Sequence, residues 1–177
     1  MKPSMSDVSN NTHDALVRAR RSAVHLEMRD SYTPNDPEYQ HYLAGHRYEP
    51  SDRPEWFTHW SDLVGDALAR GVTFRRARIV SEPVTEYIKY EHHVTYLNTA
   101  AGEQVSWLPR SKATGIALPG NDFWLFDDET AIINHFSGDG DIVDREVTDD
   151  PAVLRLLASS FEAVWAAATP HQEYKPG

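Results

Sequence analysis

Val72-Thr73-Phe74-Arg75-Arg76-Ala77-Arg78-Ile79-Val80 is followed, beyond a helical stretch, by Gly102-Glu103-Gln104-Val105-Ser106-Trp107-Leu108-Pro109-Arg110, and this pair of segments decides the fold. Each reads as a strand. Between them Ser81 is placed to cap a helix that starts at Glu82-Pro83 and runs to about Leu97, and Ala100-Ala101-Gly102 ends it. Strand, helix and strand in that order predict a parallel, right-handed crossover. Downstream, Phe123–Phe126 and Ala131–Phe136 read as two more strands joined at Asp127-Asp128-Glu129-Thr130, a hairpin. Gly138-Asp139-Gly140-Asp141 is a turn and Ile142–Val147 a short edge strand. Upstream, Ala23–Met28 alternates weakly, as a strand or a helix end.

Helices frame this sheet. A short one is predicted over Thr12–Arg21. Asp36-Pro37-Glu38 opens another, with Asp as cap, Pro in the first turn and Glu at the positive end, and Gly45 closes it. From about Pro54 to Arg70 the apolar residues Trp56, Phe57, Trp60, Leu63, Val64, Ala67 and Leu68 share one helical face, and Gly71 suits the end. Asp150-Pro151 opens the last helix, to about Ala168, with Leu154, Leu157, Ala158, Phe161, Val164 and Trp165 on its apolar face. The expectation is one α/β (or α+β) domain over 13–177, built on one mixed sheet with an N-terminal helical extension. Residues 1–12, rich in Ser and Asn, are expected to be a disordered tail.

Composition narrows the function. The chain has 177 residues, 40% hydrophobic and 11% aromatic, enough for a sizeable core. It has no cysteine, which removes disulfides, thiolate metal sites and Cys nucleophiles. No apolar run approaches a membrane span and residues 1–12 lack a signal-peptide core, so a cytoplasmic protein without membrane contact is expected. A net charge of −10 disfavours direct nucleic-acid binding. Two arginine clusters, Arg18/Arg20/Arg21 and Arg75/Arg76/Arg78, read as solvated charge on a helix and a strand edge.

Motifs for familiar chemistry are missing. There is no Walker A, no GxGxxG and no G-x-S-x-G. Glu91-His92-His93 lies in a helix, where adjacent side chains diverge by about 100°, and the i, i+4 spacing of a helical metal pair does not occur. His41 and His46 flank a helix end; His59 and His135 are isolated. No metal and no cofactor are expected. Asp122 and Asp127 bracket a strand, about 17 Å apart along it, too far to act as an acid–base pair. Asp127 reads as a turn residue. Gly138–Asp141 lacks the spacing of a calcium loop. Trp107 and Trp124 read as core residues that can also offer an aromatic wall to a ligand.

The blocks HLEMRDSY (His25–Tyr32), W…ALARGV (Trp60–Val72), RRARIVSEPVTEYIKYEH (Arg75–His92), AGEQVSWLPR (Ala101–Arg110) and LPGNDFWLFDD (Leu118–Asp128) resemble an uncharacterised actinobacterial domain family commonly encoded near Xre-type helix-turn-helix regulators. The resemblance implies a regulatory role and brings no activity with it. Its recurrent polar positions correspond to Ser81, Glu82, Tyr87, Glu91, Arg110, Asp122 and Asp127. A weaker architectural similarity is to half of a phospholipase-D-like domain, a unit that several bacterial regulators use as a sensor. The catalytic H-x-K pair of that family is missing, since His135 is followed by Phe136-Ser137.

Three functions are open on these grounds. The first is a non-catalytic module of a bacterial regulatory or biosynthetic locus, binding a small anionic ligand or a partner protein such as a helix-turn-helix regulator at the strand ends. Arg110 would meet the anion, with Glu82, Tyr87, Glu91 and Asp122 as polar wall and Trp107 and Trp124 for stacking. The alternative is a small metal-independent enzyme, a hydrolase or isomerase, with Glu82, Glu91 or a histidine as general base. The third, DNA binding through the arginine clusters, has the net charge against it.

Overall fold

The computed structural model describes the backbone from Met5 to Gly177 and the side chains from Thr12 onward. Helix α1 (Met5–Arg18) begins within the segment assigned to the tail, of which residues 1–4 lie outside the described residues. Then come β1 (Ser22–Glu27), α2 (Pro37–Leu43), α3 (Glu55–Ala69), β2 (Thr73–Val80), α4 (Glu86–Ala101), β3 (Gln104–Pro109), β4 (Phe123–Phe126), β5 (Thr130–Phe136), β6 (Ile142–Thr148), α5 (Pro151–Ala167) and β7 (Thr169–Pro170). All the strands join one mixed sheet in the order β6-β5-β4-β1-β2-β3-β7. This is the α/β architecture expected. β1, β2 and β3 are parallel, their neighbours β4 and β7 run against them, and β4, β5 and β6 alternate in direction. Among the described residues no helix is long and apolar enough to cross a membrane.

Local chemistry explains most boundaries. The Asp36 and Asp150 carboxylates accept from the first free N–H groups of α2 and α5, each with Pro at the next position. The β4–β5 connection is three residues, Asp127 to Glu129, bent by a β-turn in which Glu129 N–H donates to the Phe126 carbonyl and Asp127 and Asp128 take φ 55° and 59°. That is the mirror-image geometry whose twist matches a hairpin. Asp127 also accepts from the backbone N–H of Arg20, Arg21 and Ser22, fixing the entry to β1. Its carboxyl stays below the usual range because these three donors outweigh its burial.

Two expectations are corrected. Ser81 does not cap the crossover helix; Thr85 does, accepting from Ile88 N, and α4 starts only at Glu86. Ser81 instead donates both its backbone N–H and its hydroxyl to the Asp30 carboxylate across the strand ends. Along α3, only Val64 and Ala67 of the apolar face are buried; Trp56 is largely exposed and donates to Tyr48 Oη at 3.0 Å. β7 has no apolar pattern of its own and exists because Thr169 pairs with Trp107.

Alternation along the strands divides the core. Val24, Leu26, Ala77, Ile79, Leu108, Phe123 and Leu125 face α5. On the other face Ala23, Phe74, Trp124, Phe126 and Ile132 pack under α1 and α3, while Val80, Val105 and Trp107 pack under α4. Gly102, at φ +106°, turns the chain from α4 into β3, and a Cβ there would stand 2.3 Å from Leu68 Cδ1 of α3. Gly102→Ala should therefore lower unfolding stability by about 1–3 kcal/mol, through left-handed strain and overpacking, measured by urea titration. An unchanged midpoint would show that the turn tolerates a side chain.

Candidate functional site

Beneath α4 the inner face of the sheet is charged. Phe74, Arg76, Arg78 and Val80 alternate toward the helices, so two arginines of the central cluster enter the core. Arg76 and Arg78 are only 7% and 6% exposed, which corrects their reading as solvated charge. Only Arg75 points the other way, to Glu162 of α5 at 2.6 Å. The parallel register sets His25 beside Arg76 and Glu27 beside Arg78.

Each guanidinium is provided for. Arg76 donates to Glu103 at 2.8 Å and to Glu27 at 3.4 Å. Arg78 donates to Glu27 at 2.6 Å and to Thr95 Oγ1 at 2.5 Å. Thr95 in turn donates its hydroxyl hydrogen bond to the Glu91 carbonyl one turn back. Glu103 is closed off by the Trp60 indole N–H and the Asn98 amide. Rings cover the cations: Arg76 lies 5.3 Å from the Trp124 centroid and Arg78 4.9 Å from that of Trp107. Burial opposes the Glu27 charge, but Arg78 and then Arg76 hold its carboxyl well below the usual range. Glu103 is kept low in the same way, against burial, by Arg76.

Where this network reaches the C-terminal end of β1, a polar cleft of about 230 Å³ opens. His25 and Glu27 of β1, Tyr32 beyond it, Tyr87 and Glu91 of α4, and Asp122 and Trp124 at the start of β4 line one side. Asn134 and Phe136 of β5 and Arg145 of β6 line the other. Cross-strand pairing of Asn134 with Arg145, and the bond from Asn134 N to Asp122 O, place these groups level with one another. His25 stacks on Trp124, 3.8 Å between ring centres, with Nδ1 at 2.8 Å from the Phe123 carbonyl. Burial lowers its pKa, against the raising effect of Glu27.

Two carboxyls in the cleft are displaced upward. Burial pushes Glu91 to about 7, with the Glu27 charge adding and Arg78 opposing. Burial pushes Asp122 to about 6, against the hydrogen bond it receives from Tyr32. Glu91 Oε2 and Asn134 Oδ1 are buried and accept no hydrogen bond; the nearest cation to the former is Arg78 Nε, at 3.7 Å. Among the described residues no group of three or more His, Asp or Glu side chains is placed to hold a metal ion.

Of the residues singled out from sequence, Tyr87, Glu91, Asp122 and Trp124 converge on this cleft. Glu82, Trp107 and Arg110 do not. Glu82 accepts from Tyr174 Oη at 2.7 Å, far along the edge. Trp107 is fully buried, stacked on Tyr174 at 5.4 Å. Arg110 is committed to the Met28 carbonyl, Ser81 Oγ and the Asp30 carboxylate, tying the ends of β1 and β2 together. His25, Glu27, Tyr32 and Asn134 were missed. One legible signal was the polar stripe Glu91, Thr95, Asn98 at i, i+4, i+7 on α4, which demands polar partners on the strand it covers.

Two stability predictions follow from the network. Arg78→Met should cost about 3–5 kcal/mol by strandings of Glu27 and Glu91 in the core, and adding Glu27→Gln should recover part of it; chemical denaturation of the single and double variants measures both. Additive losses would mean that the pair is not coupled. For Glu91 the folded pKa lies above its ordinary value, so its contribution is complete below about pH 4.5 and is lost as pH rises through about 7. Glu91→Gln stays neutral and should gain stability on the wild type between about pH 5 and about pH 8. The difference between the two proteins removes the opposing contributions of the buried histidines, which are common to both. A pH-independent difference would mean that Glu91 titrates normally.

Comparison with known proteins places the fold. No curated protein matches the chain. Among solved structures it is similar to TrmBL2, an archaeal chromatin protein described as showing a novel mode of DNA binding, at TM-score 0.50 and 12% identity. That match covers 96% of this chain and 52% of TrmBL2, so the chain spans about half that protein's length. NucT from Helicobacter pylori matches at TM-score 0.52 and 13% identity, over 93% of this chain and 91% of that one. Nuc, a phospholipase D family member from Salmonella typhimurium, is at TM-score 0.48 and 11% identity, over 92% and 89%. At these identities the likeness is one of fold alone. No histidine in the chain is followed two residues later by lysine; His25 of the cleft is followed by Leu26 and Glu27. The family model described as Domain of unknown function (DUF6879) matches residues 11–176, and the chain belongs to that family.

Proposed function

We propose that this chain is a non-catalytic module that binds a small molecule in the cleft between β1, α4 and β5. The observation that carries the reading is the pair of buried oxygens, Glu91 Oε2 and Asn134 Oδ1, lining an open space with no hydrogen bond made. A buried acceptor without a partner costs about 1–3 kcal/mol, a cost that a ligand donor removes. The volume, about 230 Å³, is below the roughly 300–1,000 Å³ of drug-sized sites and suits a small metabolite. Arg110, the intended anion contact, is engaged elsewhere, so the anionic ligand expected from sequence loses its support.

A regulatory setting beside a helix-turn-helix regulator, in the bacterial cytoplasm, agrees with this reading and rests on the resemblance to actinobacterial domains. Direct DNA contact, which is said of TrmBL2, has less behind it here. The chain carries −10 overall and two arginines of its central cluster are consumed in the core. One observation favours a second reading, a metal-independent hydrolase or isomerase: a carboxyl near pH 7 in a cleft is suited to proton transfer, with Glu91 as general base.

A thermal-shift screen of small polar metabolites against the wild type and Asn134→Leu tests the site. Hits that raise Tm in the wild type and lose the shift in the variant support it. Hits that stabilise both proteins equally place binding elsewhere and sink the reading. Turnover of a hit by the wild type but not by Glu91→Gln would replace the binding module with the enzyme.

A further inference from the structure

We propose that the cleft takes a small organic cation, a primary ammonium or guanidinium on a short apolar stem. The inference rests on the ligand-binding reading above and names the ligand class for the same site. It follows from an imbalance between what the cleft offers and what it lacks.

Two acceptors lack donors. Glu91 Oε2 and Asn134 Oδ1 are unpartnered on residues 8% and 4% exposed, whereas the Asp122 carboxyl in the same lining accepts from Met28 N–H and the Tyr32 hydroxyl, and Arg29 Nε, near Phe136, is a buried donor with no hydrogen bond made. A ligand that satisfies the two acceptors must donate hydrogen bonds, which an ammonium or guanidinium does with every polar hydrogen it has. Within the paired network carboxyls outnumber guanidiniums. Glu27, Glu91, Glu103 and Asp122 are buried together, and the guanidiniums within the network are those of Arg76 and Arg78. Both of those spend their short contacts on Glu27 and Glu103. Glu91 and Asp122 are left without a short guanidinium contact, their affinity for protons raised by burial, and an entering cation would favour their ionised forms.

The remaining walls suit a cation on a carbon stem. Tyr32, Tyr87, Trp124 and Phe136 contribute rings, with Tyr32 5.4 Å from Phe136 and 6.0 Å from Tyr87, centre to centre. Aromatic faces attract a cation and accept methylene groups, while neutral donors gain only the hydrogen bonds. The charged groups facing Glu91 are Arg76 and Arg78 from β2, Glu27 from β1 and Asp122 before β4, with Tyr87 on its own helix. Arg145 of β6 lines the cleft opposite, and Arg29 lies 5.0 Å from the Phe136 ring. These two cations would favour an anion instead, so the test includes one.

The experiment compares three probes of one shape, 2-phenylethylamine, 2-phenylethanol and phenylacetate, by calorimetry with the whole chain. Buffers of different ionisation heat read the proton count. The amine is expected to bind at least about tenfold more tightly than the alcohol, and phenylacetate more weakly than either. Amine affinity should rise by about tenfold or more between about pH 5 and about pH 7.5, with proton release, as the two carboxyls ionise. Glu91→Gln and Asp122→Asn should each weaken the amine by about tenfold and weaken it more than the alcohol; equal losses for the two probes would overturn the charge-based preference, and either variant alone suffices if the other fails to fold. Equal binding of amine and alcohol, or tighter binding of phenylacetate, overturns the cation and leaves the ligand site standing. Failure of all three probes to bind also overturns it, and the Asn134→Leu screen then decides separately whether the cleft binds anything.

Discussion

Two guanidinium groups buried on the inner face of β2 set the terms for the centre of this molecule. A charge withdrawn from water costs several kcal/mol unless it is paired and its donors are satisfied. Arg76 and Arg78 are two residues apart on one strand, so both needs fall on the same side of the sheet. Glu27 answers from the neighbouring strand, Glu103 from the entry to β3, and Thr95 and Asn98 from the helix overhead. Trp60, Trp107 and Trp124 close the cations off from solvent. Crossover helix α4 is therefore polar where it meets the sheet, an arrangement that an apolar strand could not accept.

The cleft is the unbalanced margin of that network. Toward β3 every carboxylate oxygen of Glu103 has a donor. Toward β4 and β5 the pairing thins: burial raises the Glu91 and Asp122 carboxyls, and one oxygen each of Glu91 and Asn134 has nothing to accept. The sheet also changes direction here, since β1 is parallel to β2 and antiparallel to β4. Crevices at such a change of connection, beyond the carboxyl ends of strands, are where open α/β sheets hold ligands. On the proposed binding role, stability and recognition compete for the same groups.

Much of the frame was legible in the chain. Asp-Pro helix starts, the Asp-Asp hairpin turn, the glycine at the end of α4 and the apolar face of α5 are local signals, and each meets its counterpart in the fold. The site was legible in part. Tyr87, Glu91, Asp122 and Trp124 were singled out and come together, whereas Arg110, Glu82 and Trp107 serve strand-end ties and packing. Arg110 misled because an arginine just past a strand looks the same in sequence whether it meets a ligand or a carbonyl. Arg76 and Arg78 misled because a charged strand residue is usually solvated, and its burial depends on partners dozens of residues away.

The sequence by itself determined most of the elements, their order and the parallel crossover, because periodicity, caps and turns act over a few residues; it left β1 open between strand and helix and gave no sign of β7. Only the tertiary structure decided which charges lie inside. The parallel register of β1 on β2 aligns Glu27 with Arg78, and the placement of α4 lowers Glu91 onto both. Those contacts join residues 13 to 51 positions apart. Their strength comes from exclusion of water, which no local pattern encodes.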